Sequence, residues 1–290
     1  TLGNKYPMDE YRLIRDYQNG EIIFDRRYGS TNTFEKNNYP VGYNLGQSGN
    51  TPSQNLVDAY EMIDGTPFDW NNPEHKSNPY ANRDPRLAMS ILTNNVEFKD
   101  RTIEAWTGGR DGKGVIHATR TGYYIYKFID PNLDLLQNRT SVHHWVIMRY
   151  AEILLSYAEA MNEAYGPTGN VGYRLNSVRA LNQVRNRVGV EMPVVPTAIS
   201  KEELREKIRN ERRVELAFED HRFWDVRRWM IAPETLGAPL RGVEITKISD
   251  EEFEYKPIEV EKRTFEPKMY LYPIPQADLN TTGWVQNPLW

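Results

Sequence analysis

The chain has 290 residues, of which 39% are hydrophobic, so it is long enough to bury a sizeable core as one large domain or two ordinary ones. Its 36 Lys and Arg residues are balanced by 40 Asp and Glu residues without a basic tail, which argues against nucleic acid as a partner. Cysteine is absent, which excludes disulfides and thiolate metal sites, and no apolar run is long enough to span a bilayer.

Residues 1–145 are predicted to be mostly loop. Apolar positions before Asn19-Gly20 indicate the end of a helix, and EIIF at 21–24 favours a short strand. Residues 28–82 are rich in Gly, Asn, Pro, Ser and Tyr, with one short helical candidate, NLVDAYEMID. The segments AMSILTNNVEF and TGYYIYKFI predict a few short strands. Because binding groups usually lie on loops carried by a scaffold, this region is the candidate for ligand binding.

Residues 146–230 are predicted to be helical. The segment HWVIMRYAEILLSYAEAMNEAYG has apolar residues at spacings of three and four, and VGYRLNSVRALNQVRNRVG repeats that period up to Gly189, which is expected to end the helix. Together they predict a hairpin about as long as one tetratricopeptide unit. Ser200 and Glu203 form a capping box, which predicts a third helix from about 201 to about 230, before Pro233. Residues 231–290 favour short extended pieces.

The third predicted helix carries charges where its apolar stripe would continue. Leu204 and Ile208 begin the stripe, and the same spacing then falls on alternating arginine and glutamate. Opposite charges at these spacings can pair, and apolar residues on a second face indicate that the helix is packed on more than one side. The preferred interpretation is a buried structural ion-pair network rather than a catalytic site, formed by Arg212, Glu215, Glu219, Arg222 and Asp225.

Aromatic and polar side chains in the loop-rich region form the candidate ligand site. Flat aromatic faces suit the apolar side of a sugar ring, and planar polar groups suit its hydroxyls. The alternative for each ring is that it covers the edge of the core. The candidates for ligand contact are Trp70, Tyr80, Arg83, Trp106, Arg110 and Tyr123.

Other chemistry finds weaker support in the sequence. His143 and His144 are adjacent and therefore point apart, so no metal site is predicted, and no cofactor is predicted either. The glycine-rich WTGGRDGKG lacks the spacing of a phosphate-binding loop. A glycoside hydrolase would need two carboxylates across a cleft, and no local pattern marks such a pair. Two alternatives to sugar binding stay open, a glycoside hydrolase and a binder of peptides or other non-sugar nutrients.

The stretch RNERRVELAFEDHRFWDVRRW at 209–229 resembles the signature of the SusD/RagB family, the cell-surface glycan-binding lipoproteins of Bacteroidetes. Further resemblance is found in LVDAYEMIDG, DPRL, MRYAEILLSYAEAMNEA and the ending LYPIPQADLN with QNP. Family members commonly have Gly where this chain has Asp220. The matching positions of the signature are Glu211, Arg212, Arg213, Glu215, Leu216, Phe218, Glu219, Arg222, Asp225, Arg228 and Trp229.

The resemblance implies a mainly α, SusD-like fold with a tetratricopeptide-type helical hairpin, long loops and a few short strands. Residues 1–290 would be the C-terminal part of one such domain, with a ligand-binding region at 1–145, the hairpin and signature helix at 146–230, and an extended segment at 231–290; the N-terminal half would be missing. It further implies a non-catalytic protein that delivers oligosaccharide to a SusC/RagA-type TonB-dependent transporter. The protein would be anchored on the outer membrane by a lipid on an N-terminal Cys absent from this chain.

Overall fold

The structure, a computed structural model, describes residues 20–290, so the helix end expected before Asn19-Gly20 lies outside the described residues. Helices dominate its regular structure, and the predicted mainly α class is confirmed. The helices are α1 (Thr33–Asn38), α2 (Gln54–Val57), α3 (Pro73–Ser77), α4 (Arg86–Ser90), α5 (Tyr150–Tyr165), α6 (Ser177–Arg185), α7 (Lys201–Glu215), α8 (His221–Arg228), α9 (Ala232–Thr235) and α10 (Gln276–Thr282), with a 3-10 helix at Pro267–Tyr270.

The strands are short except for one hairpin near the C-terminus. Each sheet within residues 20–290 is an antiparallel pair, β1 with β6, β2 with β5, β3 with β4 and β7 with β8. The strands are β1 (Ile22–Arg27), β2 (Ile91–Leu92), β3 (Glu97–Phe98), β4 (Arg101–Thr102), β5 (Tyr124–Ile125), β6 (His144–Arg149), β7 (Leu240–Lys247) and β8 (Phe253–Glu261).

The first long helix begins later than its sequence pattern predicts. Residues 144–149 form strand β6, which pairs with β1, and α5 begins only at Tyr150. The prediction of one helix from His144 onward was therefore wrong at its start. The physical reason is that β-branched and aromatic residues such as Trp145 and Val146 suit a strand, and a partner strand 120 residues earlier in the chain was not visible from local periodicity.

The helix predicted from 201 to 230 is two helices. The capping box at its start is confirmed, since the Ser200 hydroxyl accepts from the Glu203 amide and the Glu203 carboxylate accepts from the Ser200 amide. The helix ends at Glu215, and Phe218 and Asp220 take positive φ angles of 65° and 63° before α8 begins. Left-handed residues cannot continue a right-handed helix, so the chain turns here. Helix α6 also ends before the expected stop at Gly189, at Arg185.

Two large apolar cores hold the elements of residues 20–290 together, beside a smaller cluster around Phe128 and Val146. One joins α5, α6 and α7 through small and aliphatic residues such as Ala158, Leu181 and Ile208. The alanines allow the backbones of α5 and α6 to approach closely. The other core lies among the loops and the β7–β8 hairpin, and it is rich in tyrosine. No helix in the described part of the chain is long and apolar enough to cross a membrane.

Candidate functional site

A cleft of about 440 Å³ opens beside the tyrosine-rich core. Its walls come from the segments at 77–81 and 93–96 and from the tip of the β7–β8 hairpin. Three aromatic rings and three amide side chains lie among its lining residues, together with Thr93, Ser77 and two hairpin glutamates. These are Tyr80, Phe253, Tyr255, Asn78, Asn94 and Asn95, with Glu251 and Glu252 at the hairpin tip. We call this cavity the aromatic cleft.

Tyr80 is the predicted site residue that lies in the aromatic cleft. Its ring is half-buried and makes edge contacts with Tyr255 and Tyr123, at centroid distances of 5.3 and 6.1 Å. Its hydroxyl donates to the Tyr123 hydroxyl at 3.3 Å. Burial, followed by the neighbouring Tyr123, raises the pKa of Tyr80 well above its usual range. The phenol therefore stays protonated and can serve as a neutral hydrogen-bonding group.

Tyr123 supports the cleft from behind. Its ring is fully buried, and its hydroxyl donates to Gln54 Oε1 at 2.5 Å. The Gln54 amide in turn donates to Asp58 Oδ1 at 2.7 Å, so α2 is tied to the ring. A ring with no exposed face cannot stack on a sugar, and the expected direct contact by Tyr123 is not what the structure offers. Its role in the structure is to fix the position of Tyr80.

Trp106 lies next to the cleft rather than inside its lining. The half-buried indole packs on Phe253 with ring centroids 5.4 Å apart and planes inclined by 34°. Lys247 Nζ lies 5.0 Å from the indole centroid, on the hairpin strand that faces it. A backbone hydrogen bond from Thr107 to the Ile245 carbonyl fixes this segment to β7. Trp106 and Phe253 therefore form a continuous aromatic edge to the cleft.

Trp70 is half-buried near the end of α2. Its indole Nε1 donates to Asp58 Oδ1 at 3.0 Å, and its ring meets Phe68 edge-on at 5.1 Å. Asp58 thus binds Trp70 and Gln54 at the same carboxylate, and Gln54 binds Tyr123. Trp70 is therefore connected to the aromatic cleft through Asp58 and Gln54, but Trp70 is not one of the residues that line the cleft.

Arg83 donates its hydrogen bonds to backbone carbonyls of the protein. Its guanidinium is buried and donates to the carbonyls of Pro79, Val57 and Tyr60, each at 2.6 Å. It also lies 4.1 Å from the centre of the Phe68 ring. Burial lowers the pKa of Arg83 to about 10. With these donors used on carbonyls of the protein, the expected contact of Arg83 with sugar hydroxyls does not fit its position; it holds the wall of the cleft below Tyr80.

Arg110 lies apart from the other predicted residues. It is exposed, and its guanidinium binds the Glu104 carboxylate through two hydrogen bonds of 2.7 and 3.0 Å. It lines a different cavity, of about 590 Å³, together with Tyr43, Asn44 and Arg101. The structure therefore brings Tyr80, Trp106 and Tyr123 into one neighbourhood, connects Trp70 to it through Asp58, and leaves Arg110 outside.

Sequence reasoning missed the hairpin residues of the cleft. Phe253 and Tyr255 stand in EEFEY, where alternation between charged and aromatic residues is the pattern of a strand with one covered face. That signal could have identified β8. It could not show that β8 lies against the segment at 77–81, because this contact joins residues far apart in the chain.

The charged residues of the signature stretch lie in a buried ion-pair network. Glu215 accepts from Arg86, Arg149 and Arg187 at 2.7–2.9 Å. Glu219 accepts from Arg149 at 2.7 Å and from Lys127 at 2.6 Å. These partners come from outside α7, so the expected ladder of neighbours along one helix does not exist. The helix ends at Glu215, so Glu219 lies in the turn that follows and not one helical turn further along the same face.

Of the other residues in the predicted network, Arg212 and Asp225 pair with each other, and Arg222 pairs with neither. Arg212 binds Asp225 through two hydrogen bonds of 3.0 and 3.1 Å, linking α7 to α8. Arg222 makes no ion pair or hydrogen bond within residues 20–290 and lines a cavity instead. The enclosed carboxylates have lowered pKa values: for Glu219, burial alone would raise the pKa, but Arg149 and Lys127 lower it to about 2. Such a group has no proton to donate at neutral pH, which disfavours general-acid catalysis here.

The two histidines considered for metal binding face separate carboxylates. His143 lies 3.0 Å from Glu35, and His144 lies 2.9 Å from Asp25. Across residues 20–290 no group of three or more His, Asp or Glu side chains is close enough to hold a metal ion.

This fold recurs in solved structures of bacterial proteins. A SusD-like protein from Bacteroides fragilis superposes with a TM-score of 0.80 at 30% identity, over 100% of this chain and 59% of that one. A SusD-like carbohydrate-binding protein from the same species gives a TM-score of 0.72 at 30% identity, over 91% of this chain and 54% of that one.

The SusD family model matches residues 20–290, and the chain belongs to this family. The SusD-like protein P2 of Formosa agariphila is 34% identical over 116 residues, which are 40% of this chain and 22% of that protein. The chain thus spans less than two thirds of the length of these relatives. The resemblance found in the signature stretch is confirmed.

Proposed function

We propose that this chain binds oligosaccharide in the aromatic cleft, without catalysing a reaction on it. The observation that carries the proposal is the lining itself, in which the half-buried rings of Tyr80 and Phe253 pack against the buried Tyr255 and stand beside the amides of Asn78 and Asn95. Rings offer flat apolar faces to the C–H side of a sugar, and amides both donate to and accept from its hydroxyls. The similar SusD-like protein of Bacteroides fragilis with a TM-score of 0.72 is a carbohydrate-binding protein, which supports the same ligand class.

A titration with a panel of neutral oligosaccharides, followed by tryptophan fluorescence, tests this function. Trp106 is the reporter, because it packs directly on Phe253 at the edge of the cleft. Trp106→Ala is expected to remove the signal and to weaken binding about 10-fold, the equivalent of about 1.4 kcal/mol. Trp284→Ala is the matched control, since that indole is 62% exposed and does not line the cleft. Because Trp106→Ala removes the reporter, the affinities of the two variants are measured by isothermal titration, and equal values would contradict the proposed site.

We further propose that the protein delivers the bound sugar to a SusC/RagA-type TonB-dependent transporter, from a lipid-anchored position on the outer membrane. Membership of the SusD family supports this role. Purification of the tagged protein from outer membranes of its own cells, with identification of any transporter that accompanies it, tests the partnership. Incorporation of labelled palmitate in the same cells tests the anchor. A protein found free in the soluble fraction, without transporter or lipid, would overturn both statements.

A glycoside hydrolase is less well supported by the structure. The most deeply enclosed carboxylates of the signature stretch, Glu215 and Glu219, are covered by arginine and lysine side chains and are ionised. Release of reducing sugar from the oligosaccharides that bind would contradict the non-catalytic assignment. A peptide ligand would be recognised in the same titration if peptides, and not oligosaccharides, changed the Trp106 signal.

A further inference from the structure

A second and larger cavity, of about 710 Å³, has a lining that shares no residue with the aromatic cleft. It is bounded by the turn between α7 and α8, by residues 53–59 and by the start of β7. Four arginines line it, and we call it the arginine pocket: Arg213, Arg222, Arg241 and Arg263.

Two of these arginines already have carboxylate partners. Arg241 binds Asp58 at 2.6 Å, and Arg263 binds Glu261 at 2.9 Å. Asp58 also accepts from Trp70 and Gln54 through its other oxygen, Oδ1. The positive charges of Arg241 and Arg263 are therefore balanced inside the protein.

The other two arginines have no such partner among residues 20–290. Arg213 donates one hydrogen bond, to the carbonyl of Asn55, and makes no ion pair. Arg222 makes neither an ion pair nor a hydrogen bond. Both side chains are only partly exposed, yet none of their nitrogen atoms is among the fully buried atoms that lack a partner. Their free N–H groups are therefore in contact with solvent, and both side chains line the pocket.

The electrostatics of this pair favour a bound anion. Burial, and next the charge of Arg222, lowers the pKa of Arg213 to about 10, and burial lowers the pKa of Arg222 as well. The remaining carboxylates of the lining, Asp220 and Glu234, are exposed at the rim and form no ion pair within the described residues. Two partly desolvated guanidinium groups that line one cavity repel, and an anion bound in that cavity would offset their charge.

We propose that the arginine pocket binds an oxyanion, supplied by the carboxylate or sulfate ester of an acidic saccharide. Guanidinium groups bind such oxygens in pairs through two parallel N–H bonds. Phe218, Phe223 and Leu236 add apolar surface that can cover the ring carrying the charge. The saccharide as carrier rests on the proposed glycan function, whereas the oxyanion site itself depends only on Arg213 and Arg222.

Isothermal titration of the 290-residue protein with three probes tests the site: sodium sulfate, a trisaccharide of galacturonic acid and a neutral trisaccharide of galactose. The acidic trisaccharide is expected to bind more tightly than the neutral one at low salt. Arg222→Gln is expected to weaken its binding about 10-fold, because a charge-assisted bond to the anion is lost. Arg263→Gln is the matched control, since it removes one positive charge from the same lining but from an arginine that is already paired, and it should change affinity by less than about 2-fold.

Two more variants are expected to change affinity in ways that a general loss of folding would not produce. Arg222→Lys keeps the positive charge but loses the planar guanidinium that can bind two oxygens at once. Its affinity for the acidic trisaccharide is expected to be intermediate. Glu234→Gln removes an exposed rim carboxylate and should raise the affinity for the acidic trisaccharide about 2-fold. Equal binding of all three probes, or binding that Arg222→Gln leaves unchanged, would overturn the proposal. So would a longer form of the protein in which one of its own carboxylates occupies the pocket.

The outcomes also separate this proposal from the function proposed for the aromatic cleft. Sulfate binding that depends on Arg222, without binding of any saccharide, would support the oxyanion site and overturn its saccharide ligand and the glycan function. Neutral-sugar binding that depends on Trp106, without any effect of Arg222→Gln, would support the cleft and overturn the oxyanion site.

Discussion

The ion-pair network around Glu215 and the aromatic cleft around Tyr80 differ in what their polar groups have left to bind. In the network, the Glu215 carboxylate accepts from three arginines and is fully buried. In the cleft, the amide of Asn78 is exposed and makes no side-chain hydrogen bond within residues 20–290. The comparison teaches that charged groups whose partners all lie inside the protein have little left to offer a ligand. Half-buried rings beside free amides, and charged groups without such partners, are the surfaces on which we propose ligand binding.

The largest effect is expected from removing the centre of the network. Glu215→Ala would leave Arg86, Arg149 and Arg187 buried with fewer partners, and should lower the free energy of unfolding by about 3–5 kcal/mol. Urea denaturation at pH 7 measures the change. Glu206→Ala is the control on the same helix, because its ion pair with Arg209 is exposed, and it should change stability by less than about 1 kcal/mol. Equal midpoints for the two variants would contradict a structural role for the network.

Low pH is expected to weaken the ion-pair network progressively and so to lower the stability of the protein. Despite burial, Arg187, Arg149 and Arg86 hold the pKa of Glu215 far below its ordinary value of 4.5, and the pKa of Glu219 is lowered to about 2. A carboxylate whose pKa is lower in the folded state contributes stability above its unfolded pKa, and this is lost as pH falls through the folded one. Stability should therefore be constant above pH 5 or so and fall progressively from about pH 4.5 toward pH 2.

The aromatic cleft should not follow that pH dependence. Its tyrosines have raised pKa values because they are buried, so they remain neutral at least up to pH 9 or so. Oligosaccharide affinity is expected to be unchanged between about pH 5.5 and 8. Fluorescence titrations across this range, with denaturation curves at each pH, measure both properties together. A loss of affinity above pH 5.5 while the protein stays folded would mean that an ionisable group outside the cleft tyrosines takes part in binding.

A single free amide in the cleft should contribute less than a network carboxylate. Asn78→Ala is expected to weaken oligosaccharide binding by about 2-fold to 10-fold, because one hydrogen bond contributes about 0.5–1.5 kcal/mol. Asn44→Ala is the matched control, since Asn44 is also exposed but lines the cavity that contains Arg110. If Asn44→Ala weakens binding and Asn78→Ala does not, the ligand lies in the Arg110 cavity and the aromatic cleft is the wrong site.

The smallest effect is expected at the turn that ends α7. Asp220 has a φ of 63° and its side chain makes no capping hydrogen bond to α8, so the residue costs backbone strain without that benefit. Asp220→Gly should raise the free energy of unfolding by about 1 kcal/mol, because glycine adopts this conformation freely. Thermal denaturation measures the gain. Asp220→Ala supplies the contrast: it removes the same carboxylate but keeps a Cβ, so it should not stabilise the protein.

Local signals predicted the elements whose determinants lie close together in the chain. The capping box at Ser200 and Glu203 is one, and the apolar period of α5 and α6 is another. The break after Glu215 was missed because nothing in the apolar spacing reveals that Phe218 and Asp220 take left-handed conformations. The presence of Asp220 where the resembling family commonly has Gly was the one available hint.

The candidate site was harder to predict, because its members meet only in the folded chain. Aromatic residues in polar loops led to Tyr80 and Trp106, which do border one cleft. The same criterion also selected Tyr123 and Arg83, whose burial and internal hydrogen bonds depend on the position of α2. Composition shows that a ring is present in a loop. It does not show which of its faces remains in contact with water.

Arg86 stands in the loop-rich region, yet its guanidinium binds Glu211 and Glu215 on α7, which lie 125 and 129 residues further along the chain. Separating the region before residue 146 from the helices after it would expose apolar surface. It would also leave several ionised groups on each side without their partners. The three predicted regions are therefore expected to unfold in one cooperative transition, and limited proteolysis should yield no stable half. A ligand held in the loops would then stabilise the distant helices as much as its own walls.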